Sequence, residues 1–226
     1  MTRSVAISWS GGKDAAFMLY ELHQEAIEIA TLVTTINEAT DRSSMHGVRR
    51  ELYHHQASSL DIPLEIVTLP PEPSNEVYEE VMAGVFDRLA DDGVDTIAYG
   101  DLFLDDIRAY RQKQLADTPI DGWWPLWDRD STAFMDDLLD VGFRPIITAV
   151  TGDSLDASFA GRPLDRACLE DFPSEIDPAG EHGEFHTFVI DGPTFSYPLK
   201  VARGRQVTRE VGDTEIHYRD LMIDTP

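Results

Sequence analysis

The chain has 226 residues, 42% of them hydrophobic, enough for one α/β domain with a sizeable core and a smaller appended region. Its 42 acidic residues against 18 basic ones give a net charge of −24, spread along the whole length, and only Lys13, Lys113 and Lys200 are lysines. That field disfavours general nucleic-acid binding, no apolar run approaches the ~20 residues of a membrane helix, and the single cysteine, Cys168, excludes an intramolecular disulfide and a thiolate-built metal site.

The first strand is predicted over Ser4 to Trp9 and runs into "SWSGGKDA". Lys13 to Gln24 follows as a helix with Ala16, Leu19, Tyr20 and His23 on one stripe. Ile29 to Ile36 is apolar and β-branched, a buried strand. The spacing of Val48, Leu52, His55, Ser59 and Leu60 predicts a helix over His46 to Leu60. Leu64 to Leu69 is the next strand, and "PPEPSNEVYEEVMAGVFDRLADDG" is a helix with a proline-rich start and a glycine stop. Thr96 to Tyr99 is a short strand ending at Gly100-Asp101, and Asp105 to Ala116 a charged helix. This alternation predicts a doubly wound parallel sheet, in which ligands sit beyond the carboxyl ends of the strands. "SWSGGKD", "TTINEA" and "YGDLFLDD" fall at such ends.

After about residue 118 the texture changes. "DGWWPLWDRD" is aromatic and turn-rich, Ser131 to Val141 reads as a helix and Arg144 to Val150 as a strand. From Gly180 onward, "EHGEFHTFVIDGPTF" and "KVARGRQVTREVGDTEIHYRDLMI" read as hairpins. The expected division is a nucleotide-binding domain over 1–120 and a smaller α+β domain over 121–226.

In "SGGKD", Gly11 and Gly12 allow a tight turn whose successive N–H groups form a nest for anionic oxygens, with the following helix adding its positive end. Lys13 adds a full charge and Ser10 a hydroxyl. The nucleoside triphosphate loop G-x-x-x-x-G-K-[ST] is not matched. Asp101, at a strand end, suits a magnesium ligand or an acceptor-orienting group as well as a helix N-cap. Arg108 and Arg111, three apart on one helical face, suit phosphate or a substrate carboxylate, or pairing with nearby acids. Trp123, Trp124 and Trp127 wall either a pocket or the core. His182, Glu184 and His186 have metal-like spacing on one strand face, without a third histidine nearby.

The loop resembles the pyrophosphate-binding S-G-G-x-D-[ST] of ATP pyrophosphatases in the adenine nucleotide alpha-hydrolase superfamily, with Ala15 in place of the hydroxyl residue. Together with "SMHGVRRELYHHQASSLDIPL", "YGDLFLDDIRAYRQKQLA", "PLW" and "GEHGEFHTFVIDGPTF", the chain resembles the diphthine–ammonia ligase family over nearly its whole length. "G-E-x-G-E-[FY]-H-T-F" is closer to a bacterial-type branch linked to cobalamin salvage than to the ligase branch. The resemblance implies ATP and Mg2+ as cofactors. It places the nucleotide at Ser10, Gly11, Gly12, Lys13, Asp14, Thr35 and Gly100, with Asp14 on the metal. Lys13, Asp101 and Glu184 are then catalytic, and Arg108, Arg111, Glu181, Glu184 and His186 face the substrate.

The implied reaction is adenylation of a carboxylate, release of pyrophosphate, and amide formation with ammonia. The implied acceptor is a small molecule or a protein, such as diphthine on elongation factor 2. A corrinoid-type acid, an RNA substrate and a non-catalytic ATP sensor are the alternatives. The expected location is the cytoplasm, since the N-terminal stretch does not read as a secretory signal. Asp-rich, Lys-poor composition points to adaptation to high salt, beside the plainer reading of a well-solvated surface. Homo-oligomerisation is left open by the sequence.

Overall fold

In a computed structural model, which describes residues 3–211 and 214–224, five strands form one parallel sheet. They are β1 (Ser4–Ser8), β2 (Glu28–Asn37), β3 (Leu64–Leu69), β4 (Thr96–Ala98) and β5 (Asp121–Trp123), in the order β3-β2-β1-β4-β5. The order reverses direction at β1, as the alternating pattern predicts for a doubly wound sheet. Side chains alternate across β1: Val5 and Ile7 enter one apolar cluster and Ala6 the other. Helices α1 (Lys13–Gln24) and α2 (Arg50–Leu60) cover the first face, α3 (Asn75–Asp91) and α4 (Asp105–Leu115) the second. The Ser74 hydroxyl caps α3 by accepting from the Val77 amide at 3.4 Å. The parallel sheet continues past residue 120, with β5 at its edge.

The predicted helix over His46 to Leu60 starts four residues late, at Arg50. Gly47 has φ 65, and Arg42 forms bridges to Asn37 and Arg49, so the segment between β2 and α2 folds back on itself.

Beyond β5, α5 (Ser131–Asp140) packs Phe134 edge-on against Phe17 of α1, with ring centroids 5.3 Å apart. The remaining strands are β6 (Pro145–Thr151), β7 (Phe185–Val189), β8 (Val201–Val211) and β9 (Thr214–Ile223), with the short α6 (Arg166–Glu170) between β6 and β7. They form an antiparallel sheet in the order β7-β6-β9-β8. The β8–β9 hairpin matches expectation. The earlier predicted hairpin does not form. Only β7 is a strand there, and its partner is β6. The chain after β7 is tied to α2 instead, through Ser59 Oγ donating to the Tyr197 carbonyl at 2.6 Å.

Edge strand β7 sets the geometry of the loop between β1 and α1. The Val189 amide donates to the Gly11 carbonyl at 2.9 Å, and the Lys13 amide to Thr187 Oγ1 at 3.0 Å. One apolar cluster runs unbroken from the α1–α2 face of the parallel sheet into the antiparallel sheet. The smaller sheet therefore packs as part of the same core.

Candidate functional site

Two glycines carry the chain from β1 into α1 in one turn. Gly11 has φ 72, and a Cβ there would lie 2.7 Å from Gln56 Oε1 and 2.9 Å from Tyr53 Cε1. At Gly12 a Cβ would meet the Thr187 carbonyl oxygen at 3.1 Å. Neighbours as well as backbone thus demand glycine. Ser10 Oγ accepts from the Gly12 amide at 3.2 Å. Among the described residues, the amides of Gly11, Asp14 and Ala15 have no acceptor, which leaves open donors at the positive end of α1.

Gln56 locks this arrangement from α2. Fully buried, it accepts from Trp9 Nε1 at 2.9 Å and donates to the carbonyls of Gly11 (3.0 Å) and Val189 (2.7 Å). No polar atom of its side chain is left unpaired, so it joins the end of β1, the loop and β7 as one rigid unit.

Two cavities adjoin the loop. The first, about 510 Å³, has apolar and aromatic walls that include Val33, Met82, Phe86, Tyr78 and Tyr99, with Thr35 among the polar ones. Such walls suit a planar base. The second, about 330 Å³, is lined by Lys13, Asp14, Asp101, Glu181, His186 and Thr187. Six residues border both: Ser8, Ser10, Met45, His46, Ile107 and Arg111. They form a seam across which one ligand can reach from the apolar space into the acidic one. A hollow of about 670 Å³ between α5 and the start of β8 shares no residue with either.

The acidic cavity is electrostatically loaded. Lys13, only 3% exposed, places Nζ 2.7 Å from Asp14 Oδ1 and 5.5 Å from the centroid of Phe185. Asp101 Oδ2 meets Arg111 at 3.0 Å and Trp124 Nε1 at 3.2 Å; burial pushes its carboxyl up against the pull of Arg111. Glu181 reaches across to accept from the Leu102 amide at 3.1 Å. Burial, then the charge on Asp14, lifts its carboxyl to about 7, against the pull of Lys13. The rings of His46 and His186 lie against each other, centroids 4.7 Å apart and planes tilted by 44°. Burial lowers both, and His46 and Lys13 depress His186 further, which favours the neutral form of each ring.

A family model described as the diphthamide synthase N-terminal domain matches residues 3–116, and one described as the diphthamide synthase C-terminal domain matches residues 130–220. The chain belongs to the diphthamide synthase family. Its members are ATP-using enzymes of the PP-loop type. No curated protein matches the chain. Among solved structures, it is similar to a predicted subunit of tRNA methyltransferase from Methanocaldococcus jannaschii (18% identity, 62% of this chain and 75% of that one, TM-score 0.39). It is also similar to the U34-tRNA thiolase NcsA of Methanococcus maripaludis, solved with its [4Fe-4S] cluster (16% identity, 62% and 58%, TM-score 0.40). Both likenesses are too distant to carry function.

Of the residues singled out from sequence, the fold brings Ser10, Lys13, Asp14, Gly100, Asp101, Arg111, Glu181 and His186 to the acidic cavity and Thr35 to the apolar one. Gly11 and Gly12 form the turn between β1 and α1 beside them. Gly100 packs against α1, where a Cβ would meet Asp14 C at 3.1 Å. Arg108 is elsewhere: its guanidinium lies over Trp127 at 4.4 Å and Trp124 at 5.1 Å and borders neither cavity. Glu184 also borders neither. It is 6% exposed, accepts from the Asp177 amide at 3.2 Å through Oε1, and has no partner on Oε2, so it braces the turn that carries Glu181. It precedes β7, whereas Phe185, His186 and Thr187 all border the acidic cavity from an edge strand whose pairing slips between Ile147 and Ala149. His182, Glu184 and His186 therefore do not converge, and no group of three metal-ligating side chains occurs among the described residues.

Sequence reasoning missed His46, Gln56 and Thr187. For His46 a signal existed: the glycine after it marks a turn rather than the first residues of a helix. No described helix is long and apolar enough to cross a membrane.

Proposed function

We propose that this diphthamide synthase family member uses ATP to adenylate an acceptor carboxylate, releases pyrophosphate, and lets ammonia displace AMP to give an amide. The observation that supports this reading best is the pair of cavities meeting at the loop between β1 and α1. An apolar, aromatic space fits the adenosine, and an acidic space beside Lys13 fits the acceptor and ammonia. The bond-making centre then lies at the seam, near Ser10 and Arg111.

The residues act mainly by electrostatics. The open amides of Asp14 and Ala15, with Lys13 and the Ser10 hydroxyl, stabilise negative charge developing on the departing pyrophosphate. Arg111, anchored by Asp101 and lying over Tyr99 at 4.2 Å, offers its remaining N–H groups to the phosphate at the seam. Glu181 holds ammonium by charge in the acidic cavity. Asp14 borders the acidic cavity as a hard oxygen donor, which fits magnesium, a cation usually held by one or two carboxylates together with substrate phosphates and water. Asp14 would hold magnesium, which neutralises phosphate charge when bound.

Family membership makes diphthine on elongation factor 2 the first acceptor to test. With ATP, ammonium chloride and diphthine-bearing elongation factor 2, each amide formed should be matched by one AMP and one pyrophosphate. ADP as product, or return of intact ATP, would refute the reading. The second outcome would favour a non-catalytic sensor.

A further inference from the structure

Attack of ammonia on an acyl-adenylate needs a proton acceptor beside the reacting carbon, and that carbon lies where the apolar and acidic cavities meet. Of the six residues that border both cavities, only His46 and Arg111 carry titratable side chains. The guanidinium of Arg111 has only N–H donors and no acceptor to offer. His46 is different. Its Nδ1 lies 3.1 Å from the Thr187 carbonyl oxygen, which can only accept, so the proton of the neutral ring sits on Nδ1. Nε2 therefore carries the lone pair, and it has no hydrogen-bond partner among the described residues.

The ring is also held from several sides. The tilted ring of His186 lies against it from β7. The segment that carries it is clamped to β9, where Asp220 meets Arg42 at 2.8 Å and Arg49 at 2.7 Å. A Cβ on Gly47 would lie 2.5 Å from the Tyr218 ring, so the segment fits closely there. The charged groups bordering the same cavity are Lys13 and Asp14 from α1, Asp101 and Arg111 from around α4, and Glu181 from the turn before β7.

We propose that His46 is the general base of amide formation, oriented by the Thr187 carbonyl. This rests on the adenylation reading above. Ammonium held at Glu181 first gives one proton to water, and the lone pair of the resulting ammonia attacks the acyl carbon and forms the C–N bond. A proton passes from the attacking nitrogen to His46 Nε2. The acyl C–O bond breaks, and its electron pair leaves on the α-phosphate of AMP. The imidazolium returns its proton to water in the open cavity. Glu181 remains the group that gathers ammonium, and the two roles are separate.

The test separates the two half-reactions. With diphthine-bearing elongation factor 2 as acceptor, His46→Ala should keep ATP–pyrophosphate exchange within about threefold while amide formation falls about 10²–10⁴-fold, the range of general acid–base contributions. Added imidazole should restore amide formation, and substituted imidazoles should restore it in order of their basicity. His46→Asn, which keeps a donor for the Thr187 carbonyl but no base, should show the same split and replaces the alanine variant if that fails to fold. Equal loss of exchange and amide formation, or no restoration by any imidazole, would overturn the role of His46. A wild-type protein that catalyses no acceptor-dependent exchange would instead remove the adenylation reading, and this proposal with it.

Discussion

Lys13 was expected to bring a free positive charge to the loop, but the fold gives it Asp14 as a neighbour at 2.7 Å and almost no exposed surface. Its charge is shared before any phosphate arrives, so phosphate must compete with Asp14. Lys13→Ala should still cut ATP cleavage about 10²–10³-fold, the cost of losing one preorganised group that faces developing negative charge. Unchanged turnover in a folded variant would contradict this. Glu181 makes the second prediction. It must be ionised to hold ammonium, and its carboxyl titrates near 7, so ammonia-dependent activity should rise with pH through about 7; Glu181→Gln should flatten that rise. The stability sign is opposite: an acid raised on folding binds its proton more tightly in the native state, so this group's contribution falls as pH rises from the ordinary glutamate range to about 7. Gln56 makes the third. Gln56→Leu would strand Trp9 Nε1 and the carbonyls of Gly11 and Val189, at about 1–3 kcal/mol for each buried group left unpaired. Thermal denaturation should show that loss, and ATP affinity should fall with it.

At the scale of elements, hydrophobic period and cap chemistry were informative wherever the cause is local. The bounds of α1 and β3 are those the pattern predicts, because glycines precede one and Leu64 to Leu69 is bounded by turn residues. Gly47 signals a turn before α2, but the placement of that segment was not legible, since what holds it is remote: Arg42 and Arg49 meet an aspartate at position 220. Burial works against ionising Asp220, yet hydrogen bonds from Arg49 and Arg42 bring its carboxyl down to about 2. A depressed carboxyl contributes stability above its unfolded range and loses it as pH falls toward about 2. Asp220→Asn should therefore destabilise the protein at neutral pH, with the difference from wild type shrinking on acidification. It should also loosen the placement of His46, lowering amide formation more than pyrophosphate exchange. A variant that melts like wild type at every pH would refute the clamp.

At the scale of the whole molecule, the sequence carried the doubly wound sheet and the charged residues of the acidic cavity. It could not carry the docking of β7 on the loop between β1 and α1, because the bond from Lys13 to Thr187 spans 174 positions and no local pattern encodes it. That docking is also why Glu184, chosen by motif chemistry, proves to brace a turn while Glu181 faces the cavity. The charge of −24 makes a prediction of its own: self-repulsion should be screened, and the melting temperature should rise substantially, between low salt and molar potassium chloride. A flat curve would count against a high-salt adaptation. The most direct test of the two-cavity account omits ammonia. With ATP, labelled pyrophosphate and diphthine-bearing elongation factor 2, label should enter ATP only when the acceptor is present, and Lys13→Ala should abolish it. Amide formation without any such exchange, or exchange indifferent to the acceptor, would contradict an acyl-adenylate formed at the seam.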